Sequence, residues 1–155
     1  MPIEALIEDV AERLVFPERR RIVAKVLLAD SDLASRLTLK SVLGKAGYAV
    51  EGAATAAEAI SRLDANQFQL VLADLRSESD DAGPSVLAYA RQKDYRPATA
   101  LITLAMSEVN SRRKAMPGAD RVIQMSNEDV SNLLANVAEL IGLRADRRMR
   151  RASQS

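Results

Sequence analysis

The chain of 155 residues is 48% hydrophobic and 28% charged, carries a formal charge of +1, and contains no cysteine, histidine or tryptophan. Those absences exclude a disulfide scaffold, a Cys/His zinc centre, histidine acid–base catalysis and Ser/His or Cys/His nucleophile pairs, so any chemistry falls to carboxylates, hydroxyls and the backbone. No apolar run reaches the roughly 18 residues that span a bilayer, and Glu4, Glu8, Asp9 and Glu12 are unlike a secretory signal; the expectation is one domain with arms, no membrane span and a cytoplasmic location.

Ile3, Leu6, Ile7, Val10 and Leu14 share one stripe between Pro2 and Pro17, which predicts an amphipathic helix over 3–14 in a segment, 1–23, outside the main unit. From residue 24, short apolar runs alternate with stretches of helical period. Residues 26–29 form the first run and end in the acidic turn Asp30, Ser31, Asp32. The helix after it turns Leu39, Val42, Leu43 and Ala46 to one face and stops at Gly47, where a positive φ is wanted. Residues 48–50 begin a second strand, and Thr55 with Glu58 makes a capping box for a helix with Ala59, Ile60 and Leu63 on its apolar side.

Residues 68–73 are the strongest strand: apolar but for Gln69 and closed by Asp74, they read as buried on both faces, as in a parallel sheet covered by helices. A polar loop over 77–83 precedes a helix with Pro84 in its first turn and Val86, Leu87 and Ala90 inward. Pro97 introduces a fourth strand over 98–104. A helix is expected over 108–115, broken by Pro117-Gly118, and Val122-Ile123 mark a fifth strand. The last helix repeats Val130, Leu133, Leu134, Val137 and Ile141, with Ser126 or Asn127 as cap and Gly142 as stop. Residues 143–155 are expected to be a flexible basic tail; 144–151 hold five arginines against one aspartate.

Five strands alternating with helices over 24–142 predict a doubly wound, flavodoxin-like α/β fold with parallel order 2-1-3-4-5 and an extra N-terminal helix, because right-handed crossovers place the helices on the sheet faces. In that order Asp30 and Asp74 end neighbouring strands, and their carboxylates converge where such folds bind ligands. Like charges held this close call for a cation. Hard oxygens suit Mg²⁺, and an aspartate can attack phosphorus to give an acyl phosphate. Thr103, at the end of the fourth strand, brings a hydroxyl toward the same place.

Over residues 24–142 the chain resembles the receiver domain of two-component response regulators. The resemblance rests on Lys25-Val26-Leu27-Leu28-Ala29-Asp30-Ser31-Asp32, on Gln69-Leu70-Val71-Leu72-Ala73-Asp74-Leu75, on Pro97 before a strand reaching Ile102-Thr103, and on Gly118-Ala119-Asp120. It implies Asp74 as phosphoacceptor, Asp30, Asp74 and the backbone carbonyl of Arg76 as Mg²⁺ ligands, and Thr103 as the switch hydroxyl. It also implies signalling without enzymatic activity, with a histidine kinase or another signalling protein as partner. Departures from the family pattern are Ser31 in its second acidic position, Met125 for its lysine, Ser126 for the following proline, Val122 for its aromatic residue, and the polar loop 76–81 for its Met-Pro pair. Asp32 reads as a helix cap.

Within that reading two mechanisms are open: phosphorylation of Asp74 shifts a conformational equilibrium, or a degenerate single-domain receiver acts as a phosphate-independent adaptor. The missing acid and lysine favour the second. Alternatives are a flavodoxin-like cofactor carrier, opposed by the acidic first loop, and a scaffold or homodimer formed through residues 3–14. The arginine tail, without interleaved aromatics, reads as solubilising rather than as a specific nucleic-acid contact.

Overall fold

The computed structural model describes residues 23–74, 78–79, 81–103, 119–125 and 130–154. The helices expected over 3–14 and 108–115, the break at Pro117-Gly118 and the cap at Ser126 or Asn127 lie outside them. Among the described residues the strands are β1 (Lys25–Asp30), β2 (Ala49–Ala53), β3 (Leu70–Asp74), β4 (Ala98–Thr103) and β5 (Arg121–Gln124). The helices are α1 (Leu33–Lys45), α2 (Ala56–Ala65), α3 (Ala82–Arg91) and α4 (Val130–Gln154). All four strand pairings are parallel, in the order β2-β1-β3-β4-β5, the fold expected from the hydrophobic pattern.

The continuous apolar strands are explained by burial on both sides. Leu27, Ala29, Val71, Ala73 and Leu101 pack with Leu63 of α2 and Val86 and Leu87 of α3. Their neighbours Val26, Leu28, Leu70, Leu72 and Ile102 pack on the other face with Leu39 and Leu43 of α1 and Leu133 and Val137 of α4. Each fully buried leucine contributes about 1.5–3 kcal/mol relative to exposure, so both layers stabilise the strand pairing that sets one strand end beside the next.

Local signals end the elements where they were expected. Gly47 adopts φ +103° after α1, while the Tyr48 N–H donates to the Leu43 carbonyl at 3.1 Å. At the start of α2, Thr55 Oγ1 accepts the Glu58 N–H at 3.1 Å. The Glu58 carboxylate reaches back to the Ala54 N–H at 3.1 Å, one residue earlier than the usual partner in a capping box. Pro84 is the third residue of α3, where a missing N–H costs no helical bond.

One expectation is overturned. The last helix does not stop at Gly142: α4 runs to Gln154, through the segment expected to be a tail. A glycine inside a helix costs only about 1 kcal/mol relative to alanine. Beyond it, Arg144 donates from Nε to the Arg96 carbonyl at 3.0 Å and from Nη2 to the Tyr95 carbonyl at 2.6 Å, and Arg148 donates to the latter at 3.0 Å. These charge-assisted bonds fasten the extension to the turn between α3 and β4.

The Ala54 N–H, and then the Arg62 side chain, hold the Glu58 carboxyl below the usual glutamate range against the opposing effect of burial. The unfolded chain therefore binds this proton more readily, so the stability Glu58 contributes is present above its unfolded pKa and is lost as pH falls through the lowered folded value. In urea melts at about pH 6 and about pH 3, Glu58→Gln should lose less stability on acidification than the wild type. Equal losses would show that the carboxylate contributes nothing to the cap.

Candidate functional site

The C-terminal edge of the sheet brings the two predicted acids together. In the β1–β3 register Asp30 lies directly opposite Asp74, across a strand spacing of about 4.8 Å. The Ser31 N–H donates to the Asp74 carbonyl at 3.2 Å, which continues the pairing into the loop. Asp30 is only 2% exposed. Its Oδ1 accepts the Asp32 N–H at 3.0 Å, while Oδ2 is buried with no hydrogen-bond partner among the described residues. Burial pushes the Asp30 carboxyl above the usual aspartate range, and the charges of Asp74 and Asp32 push the same way; the Ser35 side chain and the Asp32 N–H oppose them.

The other expected residues divide. Asp32 caps α1, its Oδ2 accepting the Ser35 N–H at 2.8 Å, so that carboxylate is committed to the helix. Thr103 is fully buried at the last position of β4, on the far side of β3 from β1, and its carbonyl accepts the Met125 N–H at 2.7 Å. Arg76 lies outside the described residues. Met125, where the family carries a cation, is half-buried against the apolar layer of α1 and α4. Val122 is buried in the layer of α2 and α3. Arg121 offers no substitute cation, since its guanidinium bonds Asn136 at 2.9 Å and Glu139 at 2.7 Å on α4.

One neighbour escaped the sequence reading. Arg36, one turn into α1, donates from Nη1 to the Asp30 carbonyl at 2.8 Å. Its stem crosses β2 at Gly52, where an added Cβ would stand 3.3 Å from Arg36 Cδ. A glycine in an edge strand was the available signal, since it marks close approach by another group. Glu78, from the acidic loop, accepts the Ala56 N–H at 2.9 Å and so serves the N-terminus of α2. Among the described residues, no group of three or more acidic side chains is placed to hold a metal ion. The pocket is a pair of facing carboxylates, one with a buried oxygen seeking a partner.

A doubly wound five-stranded domain with paired aspartates at the carboxyl ends of its central strands is the architecture of a signal-receiving module. The family model of the response regulator receiver domain matches residues 26–138, most of the chain, and the chain belongs to that family, acting in two-component signalling. A CheY-like receiver domain protein from Methanospirillum hungatei JF-1 is 26% identical, with a TM-score of 0.68 over 81% of this chain and 99% of that one. The chemotaxis response regulator CheY4 of Vibrio cholerae is 23% identical, with a TM-score of 0.66 over 77% and 99%. The receiver domain of a sensor histidine kinase from Pseudomonas aeruginosa PAO1, solved with a magnesium ion coordinated in its active site cleft, is 16% identical, with a TM-score of 0.67 over 78% and 99%. The latter two likenesses concern the fold. No curated protein matches the chain. Among the described residues no helix is long and apolar enough to cross a membrane.

The buried, unpartnered oxygen of Asp30 beside a second aspartate is a source of instability. Asp30→Asn keeps the acceptor for the Asp32 N–H and removes one negative charge. In chelator at neutral pH it should raise stability by about 1 kcal/mol or more, the scale of a buried polar atom without a partner. A denaturation midpoint unchanged or lowered would show that the carboxylate is already compensated.

Proposed function

We propose that this receiver is degenerate and transmits its signal as an adaptor, by binding a histidine kinase or another cytoplasmic signalling protein, with phosphorylation of Asp74 too inefficient to drive it. The observation that carries this reading is the fate of the side chains that would complete the pocket. Met125, half-buried against the apolar layer, stands where a cation would balance phosphoryl oxygens. Ser31 supplies no carboxylate, and Asp32 spends its own on the α1 cap. A charge-assisted hydrogen bond contributes roughly 1.5–3 kcal/mol, so losing the lysine and one acid removes a large part of the binding available to a phosphoryl group and its metal.

The remaining donors fit a hard dication, because Asp30 Oδ2 is buried without a partner and Asp74 faces it. Asp30, Asp74 and the backbone carbonyl of Arg76 would hold Mg²⁺. When bound it would screen the two carboxylates from each other and supply positive charge to phosphoryl oxygens. With one acid fewer than the family pattern the hold is weak. The burial of Thr103 at the end of β4 supports reading it as the switch hydroxyl, while Val122 supplies aliphatic packing in place of an aromatic partner. The face built around the helix expected over 108–115, β5 and α4 is the proposed partner face.

Treatment with Mg²⁺ and acetyl phosphate, read by intact mass, should give no more acyl phosphate on the wild type than on Asp74→Asn. Ser31→Asp combined with Met125→Lys should raise the phosphorylated fraction by about tenfold, the effect of roughly 1.4 kcal/mol recovered. Efficient phosphorylation of the wild type, absent from Asp74→Asn, would overturn the adaptor reading and make the domain a phosphorylation switch.

A further inference from the structure

At the edge of the sheet opposite Asp30 and Asp74, a groove of about 420 Å³ lies between the end of α3, the turn leading into β4, the start of β5 and the C-terminal half of α4. Its composition is unlike the rest of the molecule. The chain as a whole has a formal charge of only +1, yet the groove is lined by Arg91, Arg96, Arg144, Arg147, Arg148 and Arg151 against two carboxylates, Asp94 and Asp120. Lys93 also borders it, but its ammonium is engaged by Asp64.

The acids cannot neutralise this cluster. Asp120 is fixed by the strands: its Oδ2 accepts the Thr99 N–H at 2.9 Å, and its own N–H donates to Thr99 Oγ1 at 3.1 Å. Its Oδ1 is shared by two guanidiniums, Arg91 at 2.9 Å and Arg147 at 3.6 Å. Arg96 and Arg151 have no acidic partner among the described residues. Arg144, 9% exposed, is held by two backbone carbonyls, which satisfy its donors without cancelling its charge. Desolvation, followed by the charges of Arg148 and Arg147, lowers its pKa, although an arginine remains protonated at any physiological pH.

The geometry is that of an anion site. Residues 144, 147, 148 and 151 fall at the helical spacings of three and four, so they form one face, and from first to last the stripe covers about 10 Å of helix. The bonds from Arg144 and Arg148 to Tyr95 and Arg96 set that face against the turn before the ligand arrives, so little ordering is left to be done on binding. Guanidinium forks match phosphate oxygens in pairs, and their planes also accept a stacked ring. The volume lies within the range of clefts that take small ligands.

We propose that this groove binds a phosphate-bearing anion of nucleotide size. The ligand's phosphates meet Arg147 and Arg151, with Arg91 and Arg96 closing the other wall and Arg144 providing fixed positive charge beneath. The site is separate from the acidic edge and does not depend on whether Asp74 is phosphorylated.

Calorimetric titration of the full chain with adenosine diphosphate and with inorganic pyrophosphate, at constant ionic strength, tests the assignment. Both should bind more tightly than sulfate. Arg147→Glu with Arg151→Glu, exposed positions whose exchange is checked for retained helicity by circular dichroism, should weaken binding by about tenfold or more, the value of one or more charge-assisted contacts. Lys40→Glu with Lys45→Glu, the same change of net charge on α1, should leave the affinity within about twofold, because exposed charges beyond a Debye length are screened. No binding above that of sulfate, or equal losses in the two double variants, would overturn the proposal. So would tighter binding of a single-stranded oligonucleotide than of either small anion, which would make the arginine face a nucleic-acid track.

Discussion

The pairing of β1 with β3 in a register that sets Asp30 against Asp74 is the constraint on which the functional edge depends. Two unit charges about 5 Å apart repel by about 3 kcal/mol where the effective dielectric constant is near 20, a sizeable part of the 5–15 kcal/mol by which a whole domain is stable. The fold tolerates this because Asp30 lies at the end of a strand whose residues 26–29 are buried, alternating between the two faces of the sheet. Strand packing holds the pair together; the Ser35 side chain and the Asp32 N–H relieve only part of the repulsion, and Oδ2 has no hydrogen-bond partner among the described residues. Binding of positive charge and transfer of a proton are the two ways such a pocket can relax.

The same edge shows how core packing and signalling chemistry compete for positions. Met125 and Val122 flank β5 on opposite faces of the sheet, and each contributes to an apolar layer. A lysine at the first position would give up that burial to reach the carboxylates, and an aromatic residue at the second would need space to turn. On the adaptor reading this chain has exchanged both for tighter packing, which favours one conformation over a phosphate-driven equilibrium between two. A domain that presents a constant surface has no need of the alternative state, since a ligand shifts such an equilibrium only by its differential affinity.

Much of this was legible in the sequence because the deciding signals are local or periodic. Continuous apolar runs at 26–29 and 68–73 identified strands covered on both faces, Gly47 announced the end of α1, and strand order alone brought Asp30 beside Asp74. What the sequence concealed depends on contacts between distant residues. Gly142 is a stop signal by its immediate surroundings, but Arg144 and Arg148 bond to carbonyls some fifty residues earlier in the chain and carry the helix past it. Glu78, in the polar loop, caps a helix 22 residues upstream, a contact no local pattern announces. The orphaned oxygen of Asp30 has no sequence signature, because the same residue in a looser turn would be hydrated.

The arginines of α4 have one ordinary explanation. A helix macrodipole favours cations near its C-terminus, and each well-placed charge there contributes about 0.3–1 kcal/mol. That accounts for one or two of them in the last turn. It does not account for Arg144, nearly three turns before Gln154 and buried, nor for the choice of a common face for four guanidiniums, since like charges one turn apart on a helix oppose its stability. Arg91 and Arg96, from a different part of the chain, add to the same concavity. Helix stability alone would have dispersed these charges around α4. Their convergence beside Asp120, against the opposing chemistry of the Asp30–Asp74 edge, gives the sheet an acidic end and a basic end held apart by the length of its buried strands.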